Sequence, residues 1–168
     1  MKTYEDLEGD AGSDIVGQVV QLGSKLRARL DKIKYKVALM SGKGGVGKSS
    51  ITANIASCLA DRGNKVGILD ADLNGPSIGH LLGVGNDVQL EMRDDGLEPG
   101  IGHQGIRIMS MDMLVKTADT PVMWTEEADA TAVWVSTMES TAIRELLADT
   151  NWGELDYLLI DMPPGSDR

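Results

Sequence analysis

Ser41-Gly42-Lys43-Gly44-Gly45-Val46-Gly47-Lys48-Ser49-Ser50 is the stretch that decides the fold. Residues 42–49 fit G-x-x-x-x-G-K-[ST]. They stand between YKVALM (35–40), a short apolar run of strand character, and residues 49–61, where Ile51, Ile55 and Leu59 recur at helical spacing. In that setting, backbone N–H groups of the loop and of the first helical turn can converge on phosphate oxygens. The helix dipole adds to the attraction, and the glycines allow close approach. Lys48 supplies a cation near the β- and γ-phosphates, and the Ser49 hydroxyl can ligate Mg²⁺. Gly42, Lys43, Gly44, Gly45, Val46, Gly47, Lys48, Ser49 and Ser50 are therefore the expected phosphate-contacting residues.

Downstream, Gly63 stands where a helix-ending glycine belongs, and KVGILDAD (65–72) reads as a second buried strand ending in Asp70 and Asp72. Strand, loop, helix and strand predict a right-handed βαβ unit. LDYLLID (155–161) is another apolar strand, ending in Asp161. A magnesium site needs an acid at the end of a neighbouring strand, which makes Asp161 the expected second element, acting through water. Pro163-Pro164-Gly165 cannot continue that strand, and the Gly165 N–H could approach a γ-phosphate. A carboxylate at Asp70 or Asp72 could orient or deprotonate an attacking water. Strand-end solvation or a helix N-cap is the competing reading for each.

Elsewhere, residues 1–14 are acidic and nearly free of branched apolar residues, which predicts a mobile tail. Ile15, Val19, Leu22, Leu26, Leu30 and Ile33 fall on one stripe, predicting an amphipathic helix over 15–34 that docks on the domain or on a partner. Residues 74–105 read as loops, with a short helical run near Ile78–Leu82 and an edge hairpin around Asp95-Gly96. GIRIMSMDML (105–114) predicts a strand and residues 137–149 a helix, while 116–135 fit no element. The expected architecture is α/β, a mainly parallel sheet flanked by helices on both faces, with residues 35–168 forming the nucleotide-binding domain.

Composition bounds the function. A chain of 168 residues with 42% apolar content can bury one core, and its net charge of −10 argues against nucleic-acid or anionic-membrane partners. Lys25, Arg27, Arg29, Lys32, Lys34 and Lys36 form a local basic cluster, expected to be a solvated helix face. Neither a long apolar span nor a leader sequence is visible, so the expected location is the cytoplasm. Cys58 is the single cysteine, excluding an intrachain disulfide or a multi-cysteine metal site within these residues, and is expected to be a small buried residue.

Lys43 has no evident role on its own phosphate. The string K-G-G-V-G-K-S resembles the deviant Walker A signature of the MinD/ParA/nitrogenase-iron-protein class of P-loop ATPases. Asp70-Ala71-Asp72-Leu73-Asn74-Gly75-Pro76-Ser77, Pro121-Val122-Met123-Trp124, residues 151–157 and Asp161-Met162-Pro163-Pro164-Gly165 are similar to motifs of Mrp-type (ApbC) iron–sulfur cluster carriers. The resemblance implies a slow ATPase and a nucleotide-sandwich homodimer in which Lys43 reaches the partner's phosphates. It places Asp72 as the switch I aspartate near the attacking water, with Lys43, Lys48 and Asp72 as the catalytic set, and Asp161 as the Walker B acid. Its cofactors would be ATP and Mg²⁺, and its partners cluster donors or recipients.

Two departures stand out. Residues 124–130 replace the family's W-R-G-P stretch, and the sequence carries no C-x-x-C, so an iron–sulfur cluster is expected only in a longer form. The family continues beyond switch II with further strands, so an incomplete sheet with an unpaired apolar edge is expected, as in a fragment or a chain completed by a partner. The alternatives are a MinD/ParA-type ATP-dependent positioning or partitioning switch and a truncated, non-enzymatic nucleotide-binding or scaffold domain.

Overall fold

The structure, a computed structural model, describes residues 15–72, 75–84, 91–93, 95–110, 113 and 132–165. In chain order the elements are α1 (Ile15–Leu30), β1 (Ile33–Leu39), α2 (Lys48–Asp61), β2 (Val66–Asp70), α3 (Ile78–Leu81), β3 (Met92–Arg93), β4 (Gly96–Leu97), β5 (Gly100–Ile101), β6 (Arg107–Ser110), α4 (Ala132–Asp149) and β7 (Leu155–Asp161). Among the described residues the main sheet has the order β1-β7-β2-β6-β5, parallel throughout except where β5 runs antiparallel to β6. The βαβ unit of β1, α2 and β2 therefore has β7 inserted between its two strands.

Every residue of β2 is buried, the pattern of a parallel strand covered on both faces. The two-residue period sends neighbours to opposite cores. Ile68 and Leu159 pack with Ala53 and Ala56 of α2, whereas Leu69 and Leu158 pack with Leu146 and Leu147 of α4, with Leu26 and Leu30 of α1 against them. Helices thus cover both faces. The register aligns Leu39, Asp161 and Asp70 at the C-terminal ends of β1, β7 and β2, the edge where open parallel sheets place their ligands.

The helix predicted over 15–34 ends at Leu30; Ile33 opens β1 opposite Leu155 and is buried. Burial in the sheet outweighs the helical spacing that Ile33 happens to share. The basic cluster at this helix is partly engaged: Lys25 pairs with Asp149 at 2.6 Å, Arg29 donates to the Asp95 carbonyl, and Lys36 donates to the carbonyls of Leu30 and Ile33. Strand β6 begins at Arg107, later than the run predicted over 105–114, because a tight turn at His103–Gly105, with Gln104 and Gly105 at positive φ, precedes it; residues 111, 112 and 114 lie outside the described residues. Helix α4 begins earlier than the predicted 137. The predicted hairpin forms as β3 and β4, paired antiparallel. Gly63, at φ 82°, ends α2 by donating to the Ala60 carbonyl. Cys58 is exposed rather than buried. The 1–14 tail and residues 116–131, including Pro121–Trp124, lie outside the described residues.

Among the described residues β1 pairs only with β7, and Tyr35 and Val37 on it are 49% and 42% exposed. No helix of the described residues is long and apolar enough to cross a membrane.

Candidate functional site

The loop 40–47 joins the end of β1 to the start of α2, and two of its glycines carry the turn. Gly45 and Gly47 sit at φ 73° and 87°, the left-handed region that L-residues adopt at a cost. The Gly47 carbonyl accepts the Ile51 N–H at 2.9 Å, opening α2 directly from the loop. No side chain caps that helix end, so its first-turn N–H groups remain available to an anion.

Beside the loop lies a cavity of about 290 Å³, lined by Ser41, Lys43, Gly44, Gly45, Gly47, Lys48, Ser49, Ser50, Asp72 and Pro164. Of the expected phosphate-contacting residues, Gly42 and Val46 do not line it. Val46 is 58% exposed, and Gly42 lies under Gly165. The Gly165 N–H is committed to the Ser41 carbonyl at 2.7 Å, so it does not point at the cavity as the sequence suggested. A Cβ at Gly165 would meet that carbonyl at 3.1 Å, which explains glycine there.

Behind the lining residues Lys48 and Ser49 lies Asp161, fully buried at the end of β7. Its Oδ2 accepts the Ser49 hydroxyl at 2.7 Å and lies 2.8 Å from Lys48 Nζ; its Oδ1 accepts the Thr52 hydroxyl at 2.7 Å. The buried Lys48 ammonium is paired with Asp161 Oδ2 alone among the described residues, which leaves the rest of its three donors unused. A buried cation with unused donors beside an uncapped helix end suits a polyanion. Ser49 and Asp161 together offer the hard oxygen donors that Mg²⁺ prefers. Among the described residues no cluster of three His, Cys, Asp or Glu side chains could hold a metal alone, so the remaining ligands would have to be phosphates and water.

Asp70 and Asp72 take different places. Asp72 is half-buried, lines the cavity, and accepts the Gly75 N–H at 3.1 Å. Asp70 is buried away from the cavity and accepts the N–H groups of Ser77 (2.8 Å), Ile78 (3.0 Å) and Asp72 (3.2 Å), capping α3 and setting the course of the loop that carries Asp72. Burial pushes the Asp70 carboxyl above its ordinary value, against the three backbone donors, and the neighbouring Asp161 adds to the rise. Lys43 is exposed on the cavity lip, and among the described residues it forms no ion pair.

Thr52 was not singled out by the sequence reading. Its position four residues after Lys48 and three after Ser49 puts it on the same helix face as both, which was the available signal.

A family model described as ParA: NUBPL iron-transfer P-loop NTPase matches residues 32–167. The iron-sulfur cluster carrier protein of Saccharolobus solfataricus is 45% identical over 149 residues, covering 89% of this chain and 47% of that protein. That of Methanococcus maripaludis is 44% identical over 154 residues, covering 92% and 50%. A solved nucleotide-binding protein from Archaeoglobus fulgidus, in complex with ADP, superposes with a TM-score of 0.68 at 44% identity, over 84% of this chain and 49% of that one. The chain spans about half the length of the relatives it matches.

Proposed function

Because the chain belongs to the ParA/NUBPL iron-transfer P-loop NTPase family, we propose that its cavity binds and slowly hydrolyses ATP, and that this cycle serves the carriage of iron–sulfur clusters. One observation carries the reading: the buried Lys48 ammonium, paired only with Asp161 among the described residues and with donors to spare, stands beside the uncapped start of α2 and the left-handed glycine loop. ATP is the nucleotide favoured by the family resemblance; among the described residues none lining the cavity is placed to read a base.

The loop amides and Lys48 hold the β- and γ-phosphates, Lys48 exchanging its Asp161 contact for phosphate oxygens. Mg²⁺, when bound, would neutralise charge on those phosphates, with Ser49 as its hydroxyl ligand and Asp161 behind it through water. Asp72, on the cavity wall, orients the attacking water and accepts its proton. Lys43, exposed on the lip, reaches the phosphates of a second copy in a homodimer closed over two nucleotides, supplying positive charge as the γ-phosphoryl group passes to water and ADP leaves. The cluster itself is cargo. Clusters are held by several thiolates, and these residues contain Cys58 alone, so cluster handling does not fit this stretch by itself.

Lys48→Ala is expected to abolish ATP binding in titration calorimetry. Unchanged affinity in that variant would refute the site.

A further inference from the structure

We infer that Thr52 is a positioning residue for the nucleotide cycle: its hydroxyl pins Asp161 so that one carboxylate oxygen stays turned toward Ser49 and the phosphate cavity. The inference rests on the phosphate site proposed above and goes beyond it by separating the work of the two Asp161 oxygens.

Thr52 is fully buried on α2, next to Ala53 and Ala56 of the apolar core. A buried hydroxyl in such surroundings is costly unless it is hydrogen-bonded, and threonine is a weaker helix former than the alanines around it. Two oxygens lie within reach of its single proton, Asp161 Oδ1 at 2.7 Å and the Lys48 carbonyl at 3.0 Å. The carboxylate is both nearer and the stronger acceptor, so the proton belongs to Asp161. Thr52 thereby occupies Oδ1 alone, while Ser49 and Lys48 share Oδ2.

This division matters because the last residue of a strand can turn its carboxyl group about the Cβ–Cγ bond. With Oδ1 tied to the second turn of α2, that rotation is closed off. Oδ2 then stays at the Ser49 hydroxyl even when Lys48 moves to phosphate. Thr52 itself touches neither nucleotide nor cavity. Partners behind a metal's own ligands fix their orientation in this way.

The test uses the full chain and ATP, titrated calorimetrically once with Mg²⁺ and once with EDTA. Thr52→Val keeps the shape and removes the hydroxyl. It is expected to cut the gain in ATP affinity conferred by Mg²⁺ about tenfold while leaving the affinity in EDTA within about twofold. Thr52→Ser is expected to restore the gain. Should Thr52→Val fail to fold, Thr52→Ala read against Thr52→Ser gives the same comparison. A valine variant with the full Mg²⁺ gain, or one weakened equally in EDTA, overturns the inference and leaves the phosphate site standing. A wild-type chain that binds no ATP under either condition overturns the phosphate site, and the role of Thr52 with it.

Discussion

Asp70 and Asp161 are register partners at the ends of β2 and β7, yet their buried carboxylates face different tasks. Asp70 is ringed by backbone N–H groups and holds the loop carrying Asp72; Asp161 is ringed by side chains and ties the phosphate loop's helix to the sheet. Two acids side by side thus fix the two walls of one cavity.

The pH response of Asp70 follows from its surroundings. Its folded carboxyl titrates above the ordinary 3.8 because of burial, so the folded state holds the proton more tightly than the unfolded chain. The stability linked to this proton is complete below 3.8 and is lost as pH rises through the folded value. Asp70→Asn removes the titration. The stability advantage of wild type over Asp70→Asn, measured by urea unfolding across a pH series, is expected to shrink as pH rises from 4 toward neutrality, and an advantage that grows would contradict the assignment.

Gly47→Ala tests the loop backbone. No atom lies within 4 Å of the added Cβ, so the expected loss is conformational. At φ 87° it should amount to about 1–2 kcal/mol of stability, read from chemical denaturation. ATP affinity should fall in parallel, since the strain is relieved by turning the N–H groups that open α2.

Lys43→Ala separates cis from trans. The substitution should leave the melting temperature unchanged, because Lys43 is exposed and makes no ion pair among the described residues. ATP-dependent dimerisation, followed by sedimentation, should disappear. A variant that dimerises normally removes the trans role.

Trp152→Ala tests the opposite core. Trp152 is fully buried, donates its indole N–H to the Leu147 carbonyl at 3.2 Å, and packs where Gly67 leaves room in β2. Its loss should cost about 3–5 kcal/mol in urea unfolding. Ile68 and Leu159, on the other face, are expected to keep their environments.

Much of this was legible in the sequence because the informative patterns are local. The glycine loop, the helix after it and the apolar strands ending in Asp70 and Asp161 each declare themselves within a dozen residues. Pairing does not. Nothing near β7 reveals that it slots between β1 and β2, since that choice depends on Tyr157 and Leu159 meeting Val66 and Ile68 across a long separation. Ile33 misled because its spacing suits a helix, and Thr52 stayed hidden because its meaning depends on Asp161, distant along the chain. Cys58 was expected inside on residue type alone; helix phase turned it outward.

The outer edge of β1, unpaired among the described residues, carries a consequence for handling the protein. Among the described residues β1 has no second sheet neighbour, and its outer edge, with Tyr35 and Val37 exposed, is a template onto which another extended segment can add; concentrated solutions should thicken into aggregates by that route. Lys34 and Lys36 stand on the same strand as gatekeepers, their charges opposing the stacking of like copies. Solubility should therefore worsen as salt screens them.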